Sequence, residues 1–198
     1  MSKQVRRWLM WGALGLVLFL VSTGLVWDDA VPAVELDLFE WINGWPDALA
    51  VPLWPFMQFG MVVAPFIAAG FAFYRRRKRD PALGLALGGF TMWLLAKVVK
   101  EVVGRPRPGG LLEEVNYRVD GGPDGLGFVS GHAVVGFLIV VVAAPYLSRK
   151  WTIVLLFLAL LAGTLRVYVG AHLPLDIVGG AGLGIAAGAL INLVTVRD

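Results

Sequence analysis

The residues able to do chemistry in this 198-residue chain are few and lie in three short stretches. In the first, Lys97 and Lys100 stand one helical turn apart. Gly104 then releases the chain into Arg105-Pro106-Arg107-Pro108. Each proline bars a helix and pushes the residue before it toward extended backbone, so the two guanidinium groups project from an extended segment. Fixed cations side by side repel one another and invite a multiply charged anion, such as a phosphoryl group in transfer. In the second stretch the glycine-rich loop 121–127 leads to Ser130-Gly131-His132, directly before an apolar run. Ser130 suits a helix N-cap, the first-turn amides are unpaired, and Gly131 lets an anion approach the backbone. In the third, Arg166 precedes His172 and Asp176, which are four residues apart. At the start of one helix they share a face, so the carboxylate can hold one ring nitrogen and leave the other free to attack. Each stretch also has a plainer reading: snorkelling Lys and Arg, a capped helix with an interfacial histidine, or a structural Arg166–Asp176 ion pair. Three plain features gathered on one side are less expected than one anion site.

These groups need membrane helices to position them. The chain is 58% hydrophobic and 16% charged, with a mean hydropathy of +0.76, values that belong to polytopic membrane proteins. Apolar runs at 8–27, 52–74, 82–103, 130–147, 151–169 and 174–195 predict an all-α bundle of six transmembrane helices in one domain over 1–198. The first run reads as an uncleaved membrane helix rather than a signal peptide, because Trp27-Asp28-Asp29 makes a poor cleavage site. Lys3, Arg6, Arg7, the run Arg75–Arg79, Arg149, Lys150 and Arg197 fall on alternate segments. The positive-inside rule makes that face cytoplasmic and puts both termini there. The loop 28–51 holds six acidic residues and no Lys or Arg, which places it outside, together with loops 104–129 and 170–173. All three stretches then meet on the outer side of the membrane. The Arg75–Arg79 run reads as a topology anchor, and no nucleic-acid partner is expected.

Two further segments stay open. Val34–Trp45 is either a short amphipathic helix at the outer interface or an ordered loop. Gly179, Gly180, Gly182, Gly184 and Gly188 serve either close helix packing or a lipid entry groove.

Taken together, the three stretches resemble the signature of the type 2 phosphatidic acid phosphatase (PAP2) family of membrane phosphatases. That signature reads Lys-x6-Arg-Pro, Pro-Ser-Gly-His and Ser-Arg-x5-His-x3-Asp. Here it is met by Lys100 with Arg107-Pro108, by Val129-Ser130-Gly131-His132, and by Arg166, His172 and Asp176. The resemblance is strongest over 97–180. Val129 replaces the motif's proline and Leu165 its serine; neither change removes a catalytic group.

The resemblance implies roles. His172 is the nucleophile and forms a phosphohistidine, Asp176 orients it, and His132 protonates the leaving oxygen and then activates water. Lys100, Arg107 and Arg166 hold phosphate oxygens, with Ser130 and the Gly131 amide assisting. Lys97 and Arg105 are extra charges that either widen the site for a diphosphate or set the loop. No cofactor is implied. With two histidines, no cysteine and one nearby aspartate, the donors make too thin a set for a metal centre. The expected partner is a membrane lipid phosphate: undecaprenyl diphosphate first, then phosphatidylglycerophosphate or phosphatidic acid. A homo-oligomer is compatible with this. Two other functions compete: phosphotransfer to a lipid or sugar acceptor, and a non-enzymatic lipid transporter or lipid-binding protein.

Overall fold

The computed structural model describes residues 1–76 and 79–196, with the side chains of 75–80 left aside. The basic run Arg75–Arg79 and Arg197, used above for orientation, therefore lie outside the described side chains. The described residues form eight α-helices: α1 Lys3–Val26, α2 Ala33–Asn43, α3 Ala50–Met57, α4 Ala64–Arg76, α5 Arg79–Val103, α6 Gly131–Ala143, α7 Arg149–Tyr168 and α8 Pro174–Thr195.

The expected six spans are not what forms. Among the described residues four helical stretches are long and apolar enough to cross a membrane: Lys3–Asp29, Pro81–Val103, Arg149–Tyr168 and Pro174–Thr195. The run at 52–74 is broken. Asp47–Gly60 and Ala64–Tyr74 meet at 66°, and only if this bent pair is taken as one span does the count reach five. Hydropathy sums residues and ignores continuity, and Pro55, Gly60 and Pro65 interrupt this stretch. The run at 130–147 fails for another reason. Its α-helix, α6, has 13 residues, about 20 Å at 1.5 Å per residue, against a hydrocarbon core of about 30 Å. It is apolar because protein surrounds it: Ala133 through Val140 and Val142 are all buried. An even number of crossings is therefore not given, and the placement of both termini in the cytoplasm does not follow.

Small residues bring α8 into contact on two sides. A Cβ on Gly15 of α1 would lie 2.6 Å from the Gly182 carbonyl and the Ala186 amide, so these two backbones touch. A Cβ on Gly180 would lie 2.6 Å from the Ser130 carbonyl at the start of α6. The glycines of α8 thus serve close packing. Asn192 adds a polar tie, its amide donating to the Val141 carbonyl at 2.7 Å. Around α6, Val134, Val135, Leu138 and Val142 pack with Leu85, Met92 and Ala96 of α5. A second core joins Phe39 and Ile42 of α2 to Leu165, Tyr168 and Leu173. α2 is therefore an amphipathic helix docked on the end of α7, with Glu35, Phe39, Ile42 and Asn43 turned inward and Trp41 outward.

Gly182→Val places a side chain against the Gly15 carbonyl and the Phe19 amide, each 2.6 Å from its Cβ. It should destabilise the fold by about 1–3 kcal/mol. A drop in the temperature at which the detergent-solubilised protein loses its monodisperse elution measures this; an unchanged temperature contradicts the packing.

Candidate active site

Three backbone devices turn the sequence spacings into one site. The first ends α5. Gly104 takes φ +73° and its amide bonds the Lys100 carbonyl at 2.8 Å. Glycine adopts this left-handed conformation without penalty. The chain then runs extended and pairs with 125–127: the Gly127 amide bonds the Arg105 carbonyl at 2.7 Å, and the Arg107 amide the Gly125 carbonyl at 3.1 Å. Lys100 fastens the same loop, its Nζ donating to the carbonyls of Leu126 and Gly127 at 2.7 Å each.

The second device ends α7. Gly170 is left-handed at φ +76°, the Ala171 amide bonds the Arg166 carbonyl at 3.0 Å, and the Gly170 amide bonds the Val167 carbonyl at 3.0 Å. This is a Schellman turn. The His172 amide shares the Arg166 carbonyl at 3.2 Å, which ties the histidine to the residue six positions earlier. The third device starts α8. Asp176, in its first turn, accepts the Leu173 amide on Oδ2 at 2.9 Å and holds His172 Nδ1 at 3.3 Å with the same oxygen. The Ser130 amide donates to the Asp176 main-chain carbonyl at 3.0 Å, which draws the start of α6 to the start of α8.

Asp176 and Ser130 have no solvent exposure, and His172 is buried. Ser130 sits at the N-cap of α6, but its hydroxyl makes no cap hydrogen bond and is buried without a partner. Nε of Arg105, of Arg107 and of Arg166 are likewise buried and unpartnered. Arg166 spends one nitrogen on the Asp120 carbonyl, at 3.0 Å. A Cβ on Gly131 would meet nothing within 4 Å, so open space lies over the first turn of α6. Among the residues singled out in the sequence, Lys100, Arg107, His132 and Arg166 all act electrostatically on His172.

Two of the expected cations lie elsewhere. Lys97 is exposed, its ammonium 3.8 Å from the centre of the Trp93 ring. Arg105 is fully buried. One nitrogen donates to Asp176 Oδ1 at 2.9 Å and Glu35 Oε1 at 3.2 Å, the other to Glu35 Oε2 at 2.7 Å and the Ala30 carbonyl at 3.0 Å. Burial opposes the Arg105 charge, but the hydrogen bond to Glu35 and the charges of Asp176 and Glu35 outweigh it and raise its pKa. The Arg166–Asp176 pair weighed in the sequence is not among the ion pairs of the described residues.

Several residues that build the site are not marked as such in the sequence. Glu35 reads there only as one acid in an acidic loop. The signal was its place on the helical stripe with Phe39 and Ile42, an acid on an apolar face. Asn43 donates to the Asn116 and Tyr168 carbonyls at 3.0 Å each. Arg118 donates to the Tyr168 carbonyl at 2.6 Å and the Trp45 carbonyl at 2.7 Å. Nothing in local sequence marks these two, because most of their partners are main-chain atoms far along the chain, and the Asp47 carboxylate that pairs with Arg118 at 2.8 Å is 71 positions away.

An apolar cavity of about 860 Å³ opens between α4–α5 and α6–α7. Ala64, Ala68, Leu85, Ile139 and Leu155 line it, and it reaches Gln58 and Phe59. The next residue, Gly60, packs on His132, with its Cβ position 2.7 Å from the His132 Cα.

Residues 77–197 match the model of the PAP2 superfamily. The chain is 33% identical over 131 residues to Phosphatidylglycerophosphatase B of Bacillus subtilis (strain 168). That match covers 60% of this chain and 59% of the relative, so less than two thirds of the relative's length is spanned. The crystal structure of Aquifex aeolicus LpxE superposes with a TM-score of 0.71 at 30% identity, covering 81% of this chain and 95% of that one. A Bacillus subtilis transmembrane PAP2-type phosphatidylglycerolphosphate phosphatase superposes with a TM-score of 0.75 at 25% identity, covering 91% and 94%.

Burial, reinforced by Lys100, Arg166, Arg107 and His132, holds the His172 imidazole well below its ordinary value of 6.5. A lowered pKa disfavours the charged ring, so in the phosphate-free protein His172 stays neutral at pH 6.5 and protonates only well below it. Ring 15N shifts can follow this, since His132 is the one other histidine in the chain. A His172 ring protonated at pH 6.5 contradicts the electrostatics.

Proposed function

This chain belongs to the PAP2 superfamily of membrane phosphatases, and from that premise we propose that it hydrolyses a membrane-lipid phosphate through a phosphohistidine on His172. A phosphatase activity of the PAP2 type on a membrane lipid comes with the family. The observation that carries the finer reading is the His172 ring. Nδ1 is held by Asp176 at 3.3 Å, while Arg107 and Arg166 act on the ring and join no ion pair among the described residues. Nε2 attacks phosphorus as the bond to the lipid oxygen breaks. His132, whose pKa burial and Arg166 lower to about 4 in the free protein, is protonated once a phosphate dianion offsets the charges of Arg166 and Lys100, and gives its proton to that oxygen. Now neutral, it takes a proton from water, whose oxygen attacks phosphorus. The P–N bond breaks, returning its electron pair to Nε2 and freeing phosphate. Lys100, Arg107 and Arg166 bind the equatorial oxygens, and Asp176 balances the positive imidazole. The Ser130 hydroxyl and the Gly131 amide complete the cradle.

The cations that would serve a second phosphoryl group, Lys97 and Arg105, are committed elsewhere. This favours a phosphomonoester lipid over undecaprenyl diphosphate. The names of the two Bacillus relatives point to phosphatidylglycerophosphate, which we take as the first candidate and phosphatidic acid as the second. The apolar cavity beside Phe59 suits the lipid's chains. The site faces the outer side of a bacterial inner membrane in this reading. In support, Lys3, Arg6, Arg7, Arg149 and Lys150 begin α1 and α7, at the opposite end of the bundle from His172.

Phosphate release from phosphatidylglycerophosphate, phosphatidic acid and undecaprenyl diphosphate in detergent micelles tests the reading. His172→Ala should lower the rate by at least about a thousandfold while remaining folded. Retained activity removes the nucleophile assignment, and a diphosphate turned over fastest reverses the substrate order. Ala68→Trp, which fills the cavity, should raise KM for long-chain phosphatidic acid but leave p-nitrophenyl phosphate hydrolysis unchanged. Equal effects on both substrates would assign the chains elsewhere.

A further inference from the structure

Asp176 does not face His172 alone. Its second oxygen, Oδ1, is taken at 2.9 Å by the fully buried Arg105 guanidinium, and Glu35 grips that guanidinium from the other side at 2.7 Å. The side chains of Arg105 and Asp176 have no solvent exposure, and that of Glu35 has 2%. Glu35 also accepts the Leu175 amide on Oε1 at 2.7 Å, within the first turn of the helix that carries Asp176. It comes from α2, outside the 77–197 stretch that matches the family model.

We propose that Glu35 is a positioning residue for the reaction: acting through Arg105, it holds Asp176 against His172 and supplies the negative charge that keeps Arg105 from cancelling Asp176.

The reason is a charge count in a poorly solvated place. Arg105 and Asp176 alone would sum to zero, and a positive imidazole forming on His172 would find no compensation. With Glu35 the three groups sum to −1, and the cluster becomes neutral when His172 turns positive. At low effective dielectric one unit of charge within a few ångströms shifts such an equilibrium strongly. Arg105 can therefore fix the geometry of the carboxylate without costing it its electrostatic role. The proposal rests on His172 being the nucleophile.

The charged and titratable groups acting on His172 from the surrounding elements are Lys100, Arg107, His132, Arg166 and Asp176. None of Lys100, Arg107 and Arg166 is altered in the variants that test the proposal. Glu35→Gln keeps the shape and an acceptor but leaves the triad at zero. It should lower kcat about tenfold or more with KM nearly unchanged, and move the acid limb of kcat/KM to lower pH. Arg105→Gln leaves −2 and should move the same limb to higher pH. The double variant Glu35→Gln/Arg105→Gln restores −1 and should return the limb to its original position, with kcat above that of Glu35→Gln. Dioleoyl phosphatidic acid in mixed micelles is the substrate, and ring 15N shifts of His172 give the same order independently of turnover.

Opposite shifts in the two single variants are what a merely structural role would not produce. Unchanged kcat in folded Glu35→Gln, or shifts of the same sign in both, overturns the proposal. Where a single variant fails to fold, the double variant decides, since it leaves no unpaired Glu35 or Arg105 charge. A limb displaced from the parent, or kcat as low as that of His172→Ala, overturns the proposal. A double variant that also fails to fold assigns the pair to stability and overturns it too. His172→Ala in the same assay separates the two readings: activity retained there refutes the nucleophile, whereas activity lost there and kept in Glu35→Gln refutes only Glu35.

Discussion

The interaction on which the rest of the structure depends is the buried contact of Arg105 with two carboxylates. A guanidinium with no solvent exposure is tolerable only when paired and hydrogen-bonded, and breaking such a pair typically costs about 3–5 kcal/mol. The partners come from three parts of the chain: Glu35 from α2, Asp176 from α8, and the Ala30 carbonyl from the segment after α1. Arg105 itself follows directly on α5. Satisfying one side chain therefore brings together four elements that share no local sequence. Packing then follows: Phe39 and Ile42 reach the second core because Glu35, on the same face of α2, is held at Arg105.

The three motifs are spaced as they are because turns consume set numbers of residues. Five residues between Arg166 and His172 are what a Schellman turn after the last turn of α7 requires, with Gly170 left-handed at its centre. Three residues between His172 and Asp176 place the carboxylate in the first turn of α8, where it reaches back to the Leu173 amide. Lengthening the second interval by one would carry Asp176 about 100° around α8. The imidazole would then lose the carboxylate. The interval from Lys100 to Arg107 instead spans a helix end and an extended strand, so the Lys100 ammonium closes over residues 126 and 127, the same loop that pairs with the strand bearing Arg107.

Much of the cationic cluster was legible because chemistry marks it locally: charge in an apolar chain is expensive and sorts to few places. The helix count was not legible, because apolar composition reports burial without saying what does the burying. Val134, Val135 and Leu138 read like a lipid-facing span, yet they face protein on every side. Arg105 was legible as a charge but not as to partner, since Glu35 lies 70 positions earlier in a segment where acids outnumbered every other cue. The same distance hid Asn43, whose amide serves carbonyls 73 and 125 positions away. Period and spacing describe neighbours along the chain, whereas these bonds are set by the docking of α2.

A final asymmetry separates the groups that hold the fold from those proposed to hold a phosphate. Arg105 has both terminal nitrogens engaged and Asp176 both oxygens, so this pair is rigid before any ligand arrives. Nε of Arg105 is buried without a partner, as are Nε of Arg107 and Arg166 and the Ser130 hydroxyl; what sets Arg107 and Arg166 apart is that neither joins an ion pair among the described residues. A buried polar atom without a partner lowers stability by about 1–3 kcal/mol. Such atoms are tolerated because other contacts hold the frame. In the reading proposed above, an anion bound beside His172 would supply acceptors for donors of this kind, so binding would recover free energy that folding left unclaimed.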